Sequence, residues 1–213
     1  MTYSCIIFDC DGVLVDSEEI SMRVLTDMAS SLGAEIHLEY AVEHLAGKSF
    51  SQVLAHVDSL IPTDLPDHFE RTFRQRTFDA FKTDLQPIQG IQQFIDKLDI
   101  PYCVASNGPI DKIRLNLTTV GLMDRFEGRI FSAYQIGKWK PDPALFEFAA
   151  SSMGVLPKEC AVIEDSLSGI VAAKRGGFDV FGFAKPFNRA SFEQEGAIPF
   201  GDIEELYDLF YLC

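Results

Sequence analysis

Cys5-Ile6-Ile7-Phe8-Asp9-Cys10-Asp11-Gly12-Val13-Leu14-Val15-Asp16-Ser17 runs from four apolar residues into two aspartates, with a glycine directly behind them. An unbroken apolar run this short suits a strand covered on both faces, as in a parallel sheet. Cys5 to Phe8 are therefore read as a strand, and Asp9 and Asp11 fall at or just past its C-terminal end. In open α/β sheets that edge is where ligands bind. Two carboxylates so close must repel, share a proton or hold a cation. A hydrated Mg²⁺ held by a few carboxylates resolves the repulsion. The stretch is a candidate phosphoryl-transfer site.

Beyond Ser17 the periodicity becomes helical. Ile20, Val24, Leu25, Met28 and Leu32 recur at helical spacing, and Gly33 ends the run. Residues 49–60 and 65–81 also read as amphipathic helices, with no strand between them. From Leu85 the grammar alters. Strands are predicted over 101–106, 129–132, 160–165 and 178–183, and helices over 91–98, 109–120, 143–153, 168–176 and 202–210. Strands alternating with helices indicate an α/β fold with a doubly wound, mostly parallel sheet. The predicted core is 1–16 plus 87–213, and 17–86 is an inserted helical module.

Three predicted strands end in polar residues: Asp9 and Asp11, then Ser106 and Asn107, then Glu164 and Asp165. Lys138 and Lys140 lie in the segment 137–143, which also holds Trp139, Pro141 and Pro143. A parallel sheet brings all its C-terminal strand ends to one edge, so these groups can converge. Taken singly, each has a plainer use as a helix cap, a turn residue or part of a solvated loop. Capping does not predict acid, hydroxyl, lysine and paired acid in this order. Phosphoryl transfer does. A carboxylate serves as nucleophile. A second carboxylate moves the proton. A hydroxyl, backbone amides and an ammonium hold the phosphoryl oxygens. Further acid completes an oxygen-rich metal site.

Composition narrows the partners. The chain has 213 residues, 47% of them apolar, enough for one full-sized core and a small second module. Acidic residues outnumber basic ones 32 to 18, for a net charge of −14, which repels nucleic acid and anionic membranes. No apolar run reaches the length of a membrane span. The five cysteines form no CxxC pair and no zinc-type cluster, so they read as reduced, packed thiols. Cys10 lies between the aspartates, where a strand would point its side chain away from them. No basic, apolar leader precedes the first strand. The expected setting is the reducing cytoplasm, and the expected state a monomer acting on a small-molecule phosphate ester.

Four segments carry a resemblance. Asp9-Cys10-Asp11-Gly12-Val13-Leu14-Val15-Asp16-Ser17-Glu18, Ser106-Asn107-Gly108, Lys140-Pro141-Asp142-Pro143, and Glu164-Asp165-Ser166 with Gly169 resemble, in order, the four motifs of the haloacid dehalogenase superfamily. The helical insert resembles the α-helical cap of the branch containing β-phosphoglucomutase and phosphoglycolate phosphatase. Ser106 to Pro109 together with Lys138 to Phe146 look closest to bacterial phosphatases of the 6-phosphogluconate phosphatase type. The resemblance implies a Rossmann-like core, Mg²⁺ as cofactor and the following roles. Asp9 is nucleophile and metal ligand. Asp11 is general acid/base, and its backbone carbonyl also binds the metal. Ser106, Asn107 and Lys140 bind the phosphoryl group. Asp165 is a metal ligand, and Glu164 contributes directly or through water. Lys138 is solvated or a rim contact.

The resemblance also implies that the cap closes over the site and that Gly47, Lys48 and Ser49 belong to its substrate-specificity loop. From the residues alone the same loop is equally an inter-helix turn with Gly47 as C-cap. Two departures from the mutases bear on function. A histidine is missing at Ser21 and an arginine at Phe50, cations that a mutase needs to hold a bisphosphate. Their absence favours a phosphatase over a sugar phosphomutase. A phospho-acceptor receiver domain, or a catalytically dead binding protein, is the non-enzyme alternative. The first would lack the helical insertion, and the second would not keep every catalytic position filled.

Overall fold

The computed structural model describes residues 3–45 and 50–211. Gly47, Lys48 and Ser49, expected in the specificity loop, lie outside the described residues. The chain divides into two compact units, Asp16–Leu85 and Met1–Val15 with Gln86–Cys213.

The described part of the first unit is helical: α1 (Glu18–Ser31), α2 (Leu38–His44), α3 (Phe50–Asp58) and α4 (Phe69–Asp84). Leu25, Met28, Ala41, Val53, Val57 and Phe69 meet in its apolar centre. The helix predicted from residue 65 begins at Phe69, since Pro66 and its neighbours occupy a turn. The short α2 escaped the periodicity reading because it buries only Ala41 within its seven residues.

The second unit holds a six-stranded parallel sheet. Its strands are β1 (Cys5–Phe8), β2 (Tyr102–Ser106), β3 (Ile130–Ser132), β4 (Cys160–Glu164), β5 (Asp179–Phe183) and β6 (Ile198–Phe200). Their order is β3-β2-β1-β4-β5-β6. The helices are α5 (Ile91–Asp96), α6 (Ile110–Thr119), α7 (Met123–Phe126), α8 (Ala133–Ile136), α9 (Ala144–Ser152), α10 (Leu167–Arg175), α11 (Arg189–Gln194) and α12 (Ile203–Tyr211). This is the doubly wound parallel sheet that the alternating pattern predicts. β6 was not foreseen: it has three residues, one of them Pro199, and survives because an edge strand tolerates a missing donor.

β1 shows why the core forms. Cys5 and Ile7 pack on one face with Leu145, Phe146 and Ala149 of α9 and Ile170 of α10. Ile6 and Phe8 face the other way, where Phe8 meets Phe94 of α5 and Phe126 of α7 edge-on, 6.2 and 6.1 Å between ring centres. All four β1 residues are fully buried, as expected for a strand covered on both sides. Among the described residues no helix is long and apolar enough to cross a membrane.

Candidate active site

β1 is the central strand, with β2 and β4 on its two sides. The chain first winds from β1 through β2 to β3, then returns to β4. The reversal opens a crevice at the C-terminal ends of β1 and β4, the usual ligand position in such sheets. Asp9 stands at the end of β1, Ser106 closes β2 and Glu164 closes β4. The Asp9 amide donates to the Ile163 carbonyl at 2.9 Å, which fixes the backbone of Asp9 to β4. Behind Asp9 the chain folds into a tight loop. Leu14 and Val15 amides donate to the Cys10 carbonyl at 2.9 and 3.1 Å, and the Gly12 amide donates to the Val15 carbonyl at 2.8 Å. Gly12 has φ +81°, open to glycine at little cost, and the Asp165 carboxylate occupies the space of its absent side chain.

Lys140 sits at the centre. Its Nζ donates to Asp9 Oδ1 and to Glu164 Oε1, both at 2.5 Å, and to the Ala105 carbonyl at 3.1 Å. The ammonium also lies 4.7 Å from the centre of the Phe146 ring. Its side chain is 2% exposed. Burial alone would lower the Lys140 pKa, but the Asp9 and Glu164 carboxylates outweigh it and hold the proton on. Asp9 goes the opposite way from an ordinary ion pair. Burial raises it, Lys140 opposes, Glu164 adds to the rise, and the result is pushed up to about 7. Burial is the main cause, and the sharing of one ammonium between two buried carboxylates adds to it.

Glu164 is 1% exposed and has both oxygens engaged. Oε1 takes Lys140, while Oε2 accepts from the amide and the hydroxyl of Ser166, each at 2.8 Å. Any side chain at Gly169 would overlap this carboxylate, so the glycine of the last motif is a steric requirement.

The Ser106 hydroxyl, buried, accepts from the Gly108 amide at 3.1 Å, leaving its own proton to donate. Asn107 Oδ1 accepts from the Lys140 amide at 3.0 Å, tying the loop after β2 to the lysine segment. Ser132 Oγ donates to the Gly108 carbonyl at 2.6 Å, pinning the same loop to β3. Lys138 is exposed and pairs with Asp142 at 3.3 Å. Cys10 is buried, and burial first, then the Asp11 and Asp9 charges, raise its thiol well above the ordinary value. It is a neutral packed thiol.

Asp11 is held from α6. Its Oδ2 accepts from Lys112 Nζ at 2.7 Å and its Oδ1 from Asn116 Nδ2 at 3.1 Å, both on α6. These two residues were missed in the sequence. The signal was there: Ile113, Leu117 and Val120 form an apolar stripe, and position 116, which should continue it, is asparagine.

The haloacid dehalogenase-like hydrolase family model matches residues 3–177, spanning every group just described. The chain belongs to the haloacid dehalogenase-like hydrolases. A 6-phosphogluconate phosphatase of Escherichia coli is 32% identical over 190 residues, covering 86% of this chain and 84% of the relative. Among solved structures, a conserved haloacid dehalogenase-like protein of unknown function from Agrobacterium tumefaciens aligns with TM-score 0.89 and 30% identity, over 99% of this chain and 98% of that one. A haloacid dehalogenase family hydrolase of Deinococcus radiodurans, with phosphate and sodium bound, aligns with TM-score 0.84 and 28% identity, over 97% and 94%. Family and relatives make this chain a phosphoric monoester hydrolase.

Hydrolases of this family generally use Mg²⁺, and the donors here suit it. Among the described residues no three Asp, Glu, His or Cys side chains form a ready metal cage. Glu164 is taken by Lys140 and Ser166, and Asp11 by Lys112 and Asn116. Asp9, which already binds Lys140 through Oδ1, and Asp165, whose carboxylate lies against Gly12, are the other two acids at these strand ends. Mg²⁺ keeps several waters and takes only one or two carboxylates, so this sparse set fits it better than a metal that needs a full protein cage.

Proposed function

We propose that this hydrolase cleaves the phosphate monoester of a small sugar or sugar acid through an aspartyl-phosphate on Asp9, with Mg²⁺ as cofactor. The observation that carries the reading is the buried Lys140 ammonium, 2.5 Å from Asp9 Oδ1, at the C-terminal edge of the central strand. A buried cation touching a strand-end carboxylate is a preformed seat for a phosphoryl group.

Lys140 holds one Asp9 oxygen and fixes the carboxylate plane, and the other oxygen attacks phosphorus. The Ser106 hydroxyl donates to a non-bridging phosphoryl oxygen, with Asn107 holding the two loops in register. The bond from phosphorus to the ester oxygen breaks, and Asp11 gives that oxygen its proton. Water then attacks the phosphorus of the Asp9 acyl phosphate while Asp11 takes the water's proton. Asp9 is regenerated and inorganic phosphate leaves. Asp9, Asp165 and the Asp11 carbonyl would hold Mg²⁺, which would supply positive charge against the phosphoryl oxygens. Glu164 acts here chiefly by keeping Lys140 charged and in place.

The sugar or sugar-acid assignment rests on the likeness to the 6-phosphogluconate phosphatase. Hydrolysis is preferred over mutase chemistry because Ser21 and Phe50 stand where a mutase carries cations. Phosphate release from a panel of phosphorylated metabolites tests this. The panel includes 6-phosphogluconate, and glucose 1-phosphate with a trace of bisphosphate. Turnover should stop with EDTA, return with Mg²⁺ and vanish in Asp9→Asn. A fully active Asp9→Asn enzyme would overturn the mechanism.

A further inference from the structure

We infer that Lys112 and Asn116 are positioning residues that aim the Asp11 carboxyl group at the leaving oxygen. The inference rests on Asp11 being the general acid. Asp11 belongs to a loop, not to the strand, and its side chain is part-exposed, so the backbone alone does not fix its direction. Both of its oxygens are held from a single helix, 2.7 Å from Lys112 Nζ and 3.1 Å from Asn116 Nδ2. Residues 112 and 116 are one turn apart on one face of α6, so the two bonds act as a bidentate grip.

Asn116 itself argues for a role beyond packing. It is fully buried, and its Oδ1 has no hydrogen-bond partner among the described residues. Leaving a buried amide oxygen unpaired is unfavourable. Of the hydrogen bonds seen for this side chain, the one it donates to Asp11 offsets that burial.

α6 also begins directly after Ser106-Asn107-Gly108, the loop assigned to the phosphoryl oxygens. One rigid helix therefore sets both the phosphoryl seat and the direction of the proton donor. That fixes the distance between the breaking P–O bond and the proton that must reach its oxygen. A misplacement of about 1 Å at such a point costs roughly 100-fold in rate.

The test compares leaving groups in Lys112→Met, Asn116→Ala, Lys112→Arg and Asp11→Asn. kcat/KM is measured for p-nitrophenyl phosphate and for the alkyl monoester of the panel that turns over fastest. This ratio reports steps up to transfer onto Asp9. A nitrophenolate leaves without a proton and an alkoxide does not. Lys112→Met and Asn116→Ala should lose roughly 10- to 100-fold on the alkyl ester and at most a few-fold on p-nitrophenyl phosphate. Lys112→Arg should recover part of the loss. Equal losses on both esters, or none, in folded variants would overturn the inference. Alkyl turnover undiminished in Asp11→Asn would instead remove the general-acid reading beneath it. Two positions on different sides of the grip keep the test open if one variant fails to fold.

Discussion

The Asp165 carboxylate fills the space that a side chain at Gly12 would need. The two residues come from loops after β1 and β4, so the glycine that follows the paired aspartates is what admits the acid of the last motif. Gly12→Ala meets two obstacles, a positive φ and a direct overlap with Asp165. It should lower stability by about 1–3 kcal/mol, raise the Mg²⁺ concentration needed for half-maximal rate, and cut turnover at least tenfold. Thermal melts and a Mg²⁺ titration of p-nitrophenyl phosphate hydrolysis check this. A variant with wild-type Mg²⁺ dependence would separate Asp165 from the metal.

Removing charge at Asp9 should change how stability depends on pH. In the metal-free protein Asp9 is pushed up to about 7 by burial, against Lys140 and with Glu164, while an unfolded aspartate titrates near ~4. Between those values the folded state binds a proton that the unfolded state lacks. The contribution is thus fully present below about pH 4 and is lost as pH rises through about 7. With EDTA present, Asp9→Asn should gain on wild type by a few kcal/mol from about pH 5 to about pH 8. Melting curves of both proteins across that range show it, and a gap that narrows with rising pH contradicts it.

Glu164→Gln leaves the buried Lys140 ammonium with one carboxylate where it had two. The loss should be about 1–3 kcal/mol, from weakening the charge-assisted bond between residue 164 and Lys140, since Asp9 still compensates the buried ammonium. Catalysis should weaken less than in Asp9→Asn, since Glu164 does not touch the reacting phosphorus in the proposed mechanism. Chemical denaturation with parallel kinetics separates the two effects. Equal kinetic damage in both variants would give Glu164 a direct role.

Asn107→Ala cuts the 3.0 Å bond between Oδ1 and the Lys140 amide. The loop after β2 and the lysine segment then lose their register. KM for phosphate esters and Ki for inorganic phosphate should both rise several-fold, with stability lowered by about 1 kcal/mol. Inhibition by inorganic phosphate is the direct measurement, and an unchanged Ki would show that the register is held by other contacts.

The α/β core was readable because its strands are short apolar runs that end abruptly in polar residues. Cys5 to Asp11 is the clearest case, and β1, β2 and β4 fall where that rule places them. What the sequence hid has physical reasons. β6 is too short and carries Pro199, and α7, α8 and α11 bury too few residues to show a period. At the site, strand-end logic picks out Asp9, Ser106 and Glu164, and the lysine segment supplies Lys140, which the fold places against Asp9 and Glu164. It could not find Lys112 and Asn116, which sit on α6 and reach Asp11 only through the fold. Nor could it apportion the carboxylates. Three-dimensional crowding, not spacing along the chain, puts Lys140 between Asp9 and Glu164 and sets Asp165 against Gly12.

Asp9 hangs from the middle strand of six, its amide bonded across to Ile163. Amides there open to solvent only when the whole α/β unit comes apart, whereas loops and edge strands open far more often. Hydrogen exchange at Asp9 should therefore be among the slowest in the molecule. Mild denaturant or heat can fray the periphery without loosening the attacking group, so activity, which also needs Asp11 and Asp165 on loops, is expected to fall before exchange at Asp9 quickens.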